Sequence, residues 1–354
     1  TDEKLAAILA AVQVDPGNRG LARDPHDNLL TATAGDFQAA CRSIADSVPA
    51  LVNVVTGFII PSADPPTFET DGPLGAVFLV RQLCELNGIA TLCSTDPGCA
   101  AALRAGFDRA GLIPERVLHV IGQPDPGHTL LKPGQASHVI ALERPGAAAN
   151  GRLHTMRGRD ITDLMRPADH LFQSGRVTIG IGDGGNEIGM GKIPHETIVK
   201  NIPNGDLIHC RVPTDHLIVA GVSNWGAYAL AAGVFVLRGV RPPTDLFDPD
   251  RERAILEVMV REGPLVDGVT GQQTATVDGL TWDEYVRPLV RIRQILHNLI
   301  GNAVKFTSIG RVDVQLATEA MPDDRVAVTF QVVDSGIGIA PEHHERVFDE
   351  YEQI

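Results

Sequence analysis

The sequence predicts an α/β fold, a mainly parallel sheet with flanking helices, followed by a small α+β segment at the carboxy-terminal end. Three observations predict it. Over the first ~280 residues short aliphatic runs alternate with helical stretches, the pattern of βαβ units in a parallel sheet. Apolar residues make up 44% of the chain but aromatics only 5%, so the core must come from Ala, Val, Leu and Ile, as it does where strands are buried on both faces. Near residue 285 the alternation stops, and one long amphipathic stretch precedes two alternating strands. The 354 residues suit about two domains, divided here as 1–284 and 285–354.

Taken in order, residues 3–12 read as an amphipathic helix closed by the turn Asp15-Pro16-Gly17-Asn18-Arg19-Gly20. Leu51–Ile60 is a β-rich run, and Gly75–Asn87 is helical and stops at Gly88, a residue suited to a helix end. Ile89–Cys93 reads as a strand and Gly98–Ala110 as a helix. Further strands are expected at Arg116–Ile121, His138–Glu143, Arg176–Ile181, Leu207–Val212 and His216–Ala220, then an Ala-rich helix over Asn224–Leu237. In the second part Tyr285–Ala303 reads as one helix. Val312–Leu316 and Val326–Val333 read as strands across the turn Pro322-Asp323-Asp324.

Charge and cysteine usage exclude several classes. The formal net charge is −14, and residues 285–354 alone hold seven Lys/Arg against ten Asp/Glu. Both parts would repel a phosphate backbone, so nucleic acid is not an expected partner. Five scattered cysteines without a C-x-x-C pair read as reduced core thiols. No apolar run approaches the ~20 residues of a membrane helix, and no secretory segment opens the chain. The expected protein is cytoplasmic, with a small-molecule partner and no membrane. Its oligomeric state is left open.

In a parallel sheet, ligands bind where strands end and the following loops begin. Four polar segments fall at such places: Glu69-Thr70-Asp71-Gly72-Pro73, Glu143-Arg144-Pro145-Gly146, Asp183-Gly184-Gly185-Asn186-Glu187 and Gly221-Val222-Ser223-Asn224-Trp225-Gly226. The glycine-rich segment sets two carboxylates and an amide among glycines that permit close backbone approach, so its N–H groups would converge on an anion. Its carboxylates would hold a hard divalent cation or act as acid and base. The same residues also admit structural roles: Asp71 as the cap of the helix after Pro73, Asn224 as an N-cap, Glu143-Arg144 as an exposed ion pair. The segment matches neither the dinucleotide fingerprint nor a Walker loop.

Those segments, with Pro16-Gly17-Asn18-Arg19-Gly20 before them and Ile188-Gly189-Met190-Gly191-Lys192 completing the glycine-rich run, occur in an order that resembles the D-glutamate cyclase family, in its carboxy-terminal domain. The likeness runs from about Leu5 to about Tyr285. It implies a hydro-lyase that cyclises D-glutamate to 5-oxo-D-proline with loss of water. On this reading Asp183, Glu187, Asp71 and Glu143 are the catalytic carboxylates. Arg144, Gly184, Gly185, Asn186, Lys192, Ser223 and Asn224 bind the amino-acid substrate, with Arg19 as a further positive partner. A divalent cation, Mn²⁺ or Mg²⁺, would sit on Asp183.

The last stretch resembles the ATP-binding domain of sensor histidine kinases over about 290–354. Arg293–Thr307 is similar to the asparagine box, Asp334-Ser335-Gly336-Ile337-Gly338-Ile339 to the first glycine box, and Val347–Gln353 to the phenylalanine box. The resemblance implies that Asn302 ligands Mg²⁺ beside Asn298, that Lys305 approaches phosphate, that Asp334 accepts from adenine, and that Gly336 and Gly338 shape the loop. Asn298 and Asn302 are i, i+4 and share a helix face. No second glycine box follows and no phosphoacceptor helix of the His-Glu-Leu-Arg type precedes. The expectation is therefore half of such a domain, with weak or absent Mg-ATP binding. The alternative is a signalling protein in which a small-ligand-binding domain is joined to a kinase-type ATP-binding module.

Overall fold

A computed structural model describes residues 1–123, 132–172, 175–243, 245–320 and 326–338; along 297–306, 314–320 and 326–332 the description is of the backbone course alone. The chain forms α1 (Asp2–Val12), α2 (Leu29–Ala32), α3 (Asp36–Asp46), β1 (Ala50–Thr56), β2 (Ile59–Ile60), β3 (Thr67–Phe68), α4 (Pro73–Cys84), β4 (Ile89–Thr95), α5 (Ala100–Ala110), α6 (Pro114–Val117), β5 (Leu118–Val120) and β6 (His138–Leu142). It continues through β7 (Val177–Gly182), α7 (His195–Asn201), α8 (Gly205–Ile208), β8 (His216–Val219), α9 (Ser223–Arg238), α10 (Pro249–Glu262), α11 (Trp282–Tyr285), α12 (Arg287–Phe306), β9 (Val312–Ala320) and β10 (Val326–Asp334). Two compact units result, Thr1–Arg293 and Gln294–Ile354.

The first unit is built on a six-stranded sheet in the order β5-β4-β1-β6-β7-β8, parallel throughout. The chain starts at β1, moves outward to β4 and β5, then returns to β6 on the other side of β1. Adjacent strands whose connections run in opposite directions leave a crevice at their carboxyl ends, and here it lies between Thr56 and Leu142, which are register partners. Strands β1 and β4 are buried along nearly their whole length, which explains their unbroken aliphatic character.

Helix α9 packs against α1, α3 and α4 and is buried from Ser223 through Phe235. Its small residues let neighbours approach. A Cβ on Gly233 would stand 2.3 Å from Cys41 Sγ and 3.2 Å from Phe37 on α3. Each large apolar side chain sealed in such a core contributes ~1.5–3 kcal/mol, and the contact between α3 and α9 is where that contribution depends on a missing side chain.

The α/β class with a parallel sheet is observed, as is the small antiparallel piece at the end. Differences are local. The expected strand Leu207–Val212 is instead α8 and a loop, because its N–H groups find partners elsewhere: Leu207 and Ile208 donate to Asn204 O, Cys210 to Gly185 O and Arg211 to Ala147 O. The single expected run Leu51–Ile60 breaks at Gly57, whose φ is +117°, and its end turns back as β2 against β3. Helices α3, α7 and α10 had no counterpart among the expected elements. All five cysteines are free, and no helix among the described residues is long and apolar enough to cross a membrane.

In the second unit β9 and β10 pair antiparallel from Val312↔Asp334 to Ala320↔Val326. The turn Pro322-Asp323-Asp324 lies outside the described residues, as does the phenylalanine-box segment 347–353.

Candidate active site

At the carboxyl edge of the sheet, four connections converge. Asp71 arrives on the segment before α4, Glu143 directly after β6, Asp183 directly after β7, and Ser223-Asn224 at the start of α9. Asp71 and Asn224 are locked to one another. Asp71 accepts from the N–H groups of Ser223 (2.9 Å) and Asn224 (2.8 Å). Asn224 Oδ1 accepts in return from Gly72 N–H (2.9 Å) and Gly75 N–H (2.7 Å). Each residue thus caps the other's helix and satisfies N–H groups that a helix start leaves free. Gly75 is required there, since a Cβ would stand 2.6 Å from Asn224 Oδ1.

The glycine-rich segment forms the expected nest of N–H donors, and the chain fills that nest itself. Glu187 accepts from the N–H groups of Asp183 (2.8 Å), Gly184 (2.6 Å) and Gly185 (2.7 Å). Asp183 projects from the same turn and pairs with Arg19, which also reaches Asp278 at 2.9 Å. Arg19 is presented by the loop after α1, where Asp15 accepts from the N–H groups of Arg19 (2.9 Å) and Gly20 (2.8 Å). Ser223 Oγ donates to Glu143 at 2.5 Å.

Backbone strain gathers at this place. Among the described residues four that are not glycine have positive φ, and three of them, Asn18 (47°), Glu143 (45°) and Asp278 (57°), belong to the site or adjoin it. Such conformations cost ~1–3 kcal/mol each and persist where the surroundings hold them. Around Asp278 the hold comes from the buried Asp267, which accepts from Gly279 N–H at 2.8 Å.

Six carboxyl groups, Glu69, Asp71, Glu143, Asp183, Glu187 and Asp278, thus share a small region with one guanidinium. Burial pushes Glu69 well above the usual carboxylate range, helped by the charges of Asp278 and Asp71. Burial does the same to Glu143, with Asp183 and Glu187 adding to it. Asp71 is pushed up to about 7 by burial and by Asp278, against the opposing N–H bonds from Asn224 and Ser223. Asp183 is raised by burial, with Arg19 working the other way. Two sets of oxygens lie within 4.8 Å of one another, Asp71/Asp183/Asp278 and Glu143/Asp183/Glu187.

The structure therefore brings together Asp71, Glu143, Asp183, Glu187, Ser223 and Asn224, with Gly184 and Gly185 beside them. Other expected site residues are engaged elsewhere. Arg144 is buried against Asp96 and also donates to Gly57 O (3.3 Å) and Arg166 O. Lys192 donates to Asp36 and to Asp215 O, both at 2.6 Å, at the amino end of β8 and thus across the sheet from the site. Asn186 donates its amide to His154 O at 2.8 Å. Sequence reasoning missed Asp278, whose only local signal is an Asp-Gly turn, and gave Glu69 no role.

In the second unit Asp334 is exposed and accepts from Gly336 N–H at 2.9 Å, closing a tight loop on itself. Gly338 adopts φ +71°. Asn298, Asn302 and Lys305 lie on α12; their side chains, and with them the expected Mg²⁺ ligand, fall outside the described residues.

Buried carboxylates directly after β6 and β7, gathered with Asp71 and Asp278 about Arg19, define the class of the first unit as an α/β protein with a polar site at the carboxyl edge of its parallel sheet. The chain belongs to the D-glutamate cyclase-like family, matching its carboxy-terminal domain over residues 8–293. It is 31% identical over 330 residues to human D-glutamate cyclase, mitochondrial, an alignment that takes in 82% of this chain and 52% of the human protein. The chain thus spans about half the length of that relative. Residues 289–353 match the family of histidine kinase-, DNA gyrase B- and HSP90-like ATPases. There the chain is 42% identical over 69 residues to Histidine protein kinase 1 of Candida albicans, covering 20% of this chain and 3% of that protein. It is 35% identical over 71 residues to the kinase BarA of Escherichia coli, covering 20% of this chain and 8% of that one.

Proposed function

We propose that the first unit cyclises D-glutamate to 5-oxo-D-proline with loss of water. The observation that carries this reading is the cluster of buried carboxyls with Arg19 at the carboxyl edge of the sheet, in a member of the D-glutamate cyclase-like family. In the reaction the amine loses a proton and its nitrogen bonds to the side-chain carbonyl carbon. One C–O bond breaks, and the departing hydroxide takes up a proton as water. Asp71, with a proton affinity near neutrality, suits the group that accepts the amine proton. Glu143, held above the ordinary carboxylate range, suits the donor to the leaving hydroxide. Holding the amine against the carbonyl within this cleft is worth up to ~7–11 kcal/mol for a well-aligned step.

A dianionic substrate needs positive partners in a region of carboxylates. Arg144, Lys192 and the nest N–H groups are engaged by the protein itself, and Arg19 is already shared between Asp183 and Asp278, which favours a bound cation. Either carboxylate set fits a hard divalent ion such as Mn²⁺ or Mg²⁺; bound there, the ion would polarise the substrate's side-chain carboxylate. Five free cysteines favour a reducing compartment, the cytoplasm on our reading.

The deciding experiment is an assay of the purified chain with D- and L-glutamate, with and without each cation, scored by the 5-oxoproline formed. No product from either enantiomer under any of these conditions would end the proposal.

A further inference from the structure

Arg144 directly follows Glu143 at the end of β6, and its guanidinium ties three separate segments together. One terminal nitrogen donates to the Asp96 carboxylate, just after β4, and to Gly57 O at 3.3 Å, just after β1. The other donates to Arg166 O, and Asp96 accepts in turn from Arg166 N–H at 2.6 Å. Asp96 and the Arg166 backbone thus close a ring about the planar fork, which fixes the direction of the Arg144 side chain. Both partners are buried.

This anchor holds the peptide that follows Glu143. Arg144 O accepts from Ile188 N–H at 2.8 Å, and Glu143 N–H donates to Ile181 O at 3.1 Å, so the two residues are also stitched to β7 and to the end of the glycine-rich turn. Between these fixed points Glu143 adopts φ +45°, a conformation that only firm surroundings maintain in a residue with a long side chain. There its carboxyl accepts from Ser223 Oγ at 2.5 Å and lies beside those of Asp183 and Glu187. Rotation to an ordinary φ would turn that carboxyl away from Ser223, and with Arg144 anchored the rotation has no free end. For stability alone the ion pair is a poor filling. It is sealed from water, and Arg144 Nε finds no acceptor. Apolar side chains of similar size in place of such a pair are often neutral or stabilising.

We propose that Asp96 and Arg144 are positioning residues whose ion pair, locked between the ends of β1 and β4, holds Glu143 in its left-handed conformation with the carboxyl against Ser223 and beside Asp183. The kinetic part of this rests on the cyclase reading, and the placement of Glu143 does not.

The test compares the double variant Asp96→Leu/Arg144→Met, and Asp96→Asn, with the unaltered chain. The double variant removes the pair as a whole, so no net charge is lost and cooperative melting is expected to persist. Its kcat is expected to fall about tenfold or more with KM within about threefold, as loss of alignment in the transition state does. Independently of activity, the carboxyl carbon of Glu143, assigned by its disappearance in Glu143→Gln, should titrate about one pH unit or more lower in the double variant. A carboxyl released from its buried place returns toward the ordinary range. Asp96→Asn still accepts from Arg144 but turns an NH2 toward Arg166 N–H. The same two changes are expected there in smaller measure, about threefold in kcat, and it supplies both readings should the double variant not fold. A Glu143 titration unchanged in a folded variant overturns the placement and makes the pair a packing feature. A lowered titration with unchanged kcat overturns the kinetic part. Should the unaltered chain fail to turn over D-glutamate, the cyclase reading falls alone and the titration decides the placement.

Discussion

Arg19 holds two carboxylates at once, Asp183 and Asp278, residues that stand 95 positions apart in the sequence. Its charge is itself secured by that company: burial disfavours the cation, and Asp183, Asp278, Glu143 and Asp71 more than offset it, raising its proton affinity further. Asp183 sits at the centre of both oxygen sets, so the sharpest residue-scale test is Asp183→Asn. The amide keeps the shape and can still accept from Arg19, while charge and proton exchange are lost. We expect turnover of D-glutamate to fall ~10²–10⁴-fold with cooperative melting retained. A variant that melts cooperatively with full activity would remove Asp183 from the mechanism, and one that no longer folds would make the glycine-rich turn a structural device instead. At this scale Asp71, Glu143, Asp183 and Asn224 were legible because each stands where a strand or loop meets the next element. Asp278 was not, since nothing local distinguishes it from any turn aspartate.

Between elements, the exchange of caps by Asp71 and Asn224 ties α4 to α9 through their first turns. The sequence suggests a local role in which each caps its own helix; instead the side chains cross over. The reason is geometric: α4 and α9 pack directly against one another with their first turns side by side, so a side chain at one start reaches the free N–H groups of the other. Asn224→Ala would orphan the Gly72 and Gly75 N–H groups, each a loss of ~1–3 kcal/mol. Equilibrium unfolding in denaturant should show a lower midpoint with an unchanged slope. A midpoint equal to that of the unaltered chain would mean that water replaces the amide and that the two helices are held by their apolar contact alone.

For the molecule as a whole, the carboxylate cluster makes stability depend on pH and on cations. Asp71 moves from 3.8 to about 7 on folding. A group raised in this way stabilises the folded chain fully below its unfolded value, and the contribution is lost as pH rises through the folded one. The melting temperature should therefore decline between about pH 4 and about pH 7 relative to an Asp71→Asn variant. Mn²⁺ or Mg²⁺ should raise it more at the upper end, where protons no longer compete for the oxygens. A cation effect equal at both ends, or none, would count against an ion in this cluster. The second unit calls for a separate test. Asp334 is exposed and already accepts from Gly336 N–H, and an acceptor in water adds little to binding, so titration calorimetry with Mg-ATP should show no micromolar affinity. Micromolar binding abolished in Asp334→Ala would favour the signalling alternative. The sequence by itself determined the parallel α/β class, most of the strands, the family motifs and the four segments at the sheet's edge, because periodicity and turn chemistry act over a few residues. Only the tertiary structure decided which charges meet. The strand order sets Thr56 beside Leu142, packs Arg144 against Asp96, draws Lys192 to the far end of β8 and carries Asp278 to Arg19. It also seats Glu187 in the nest of N–H groups that the sequence offers to an anion. Those outcomes depend on close packing between distant segments, which no local pattern encodes.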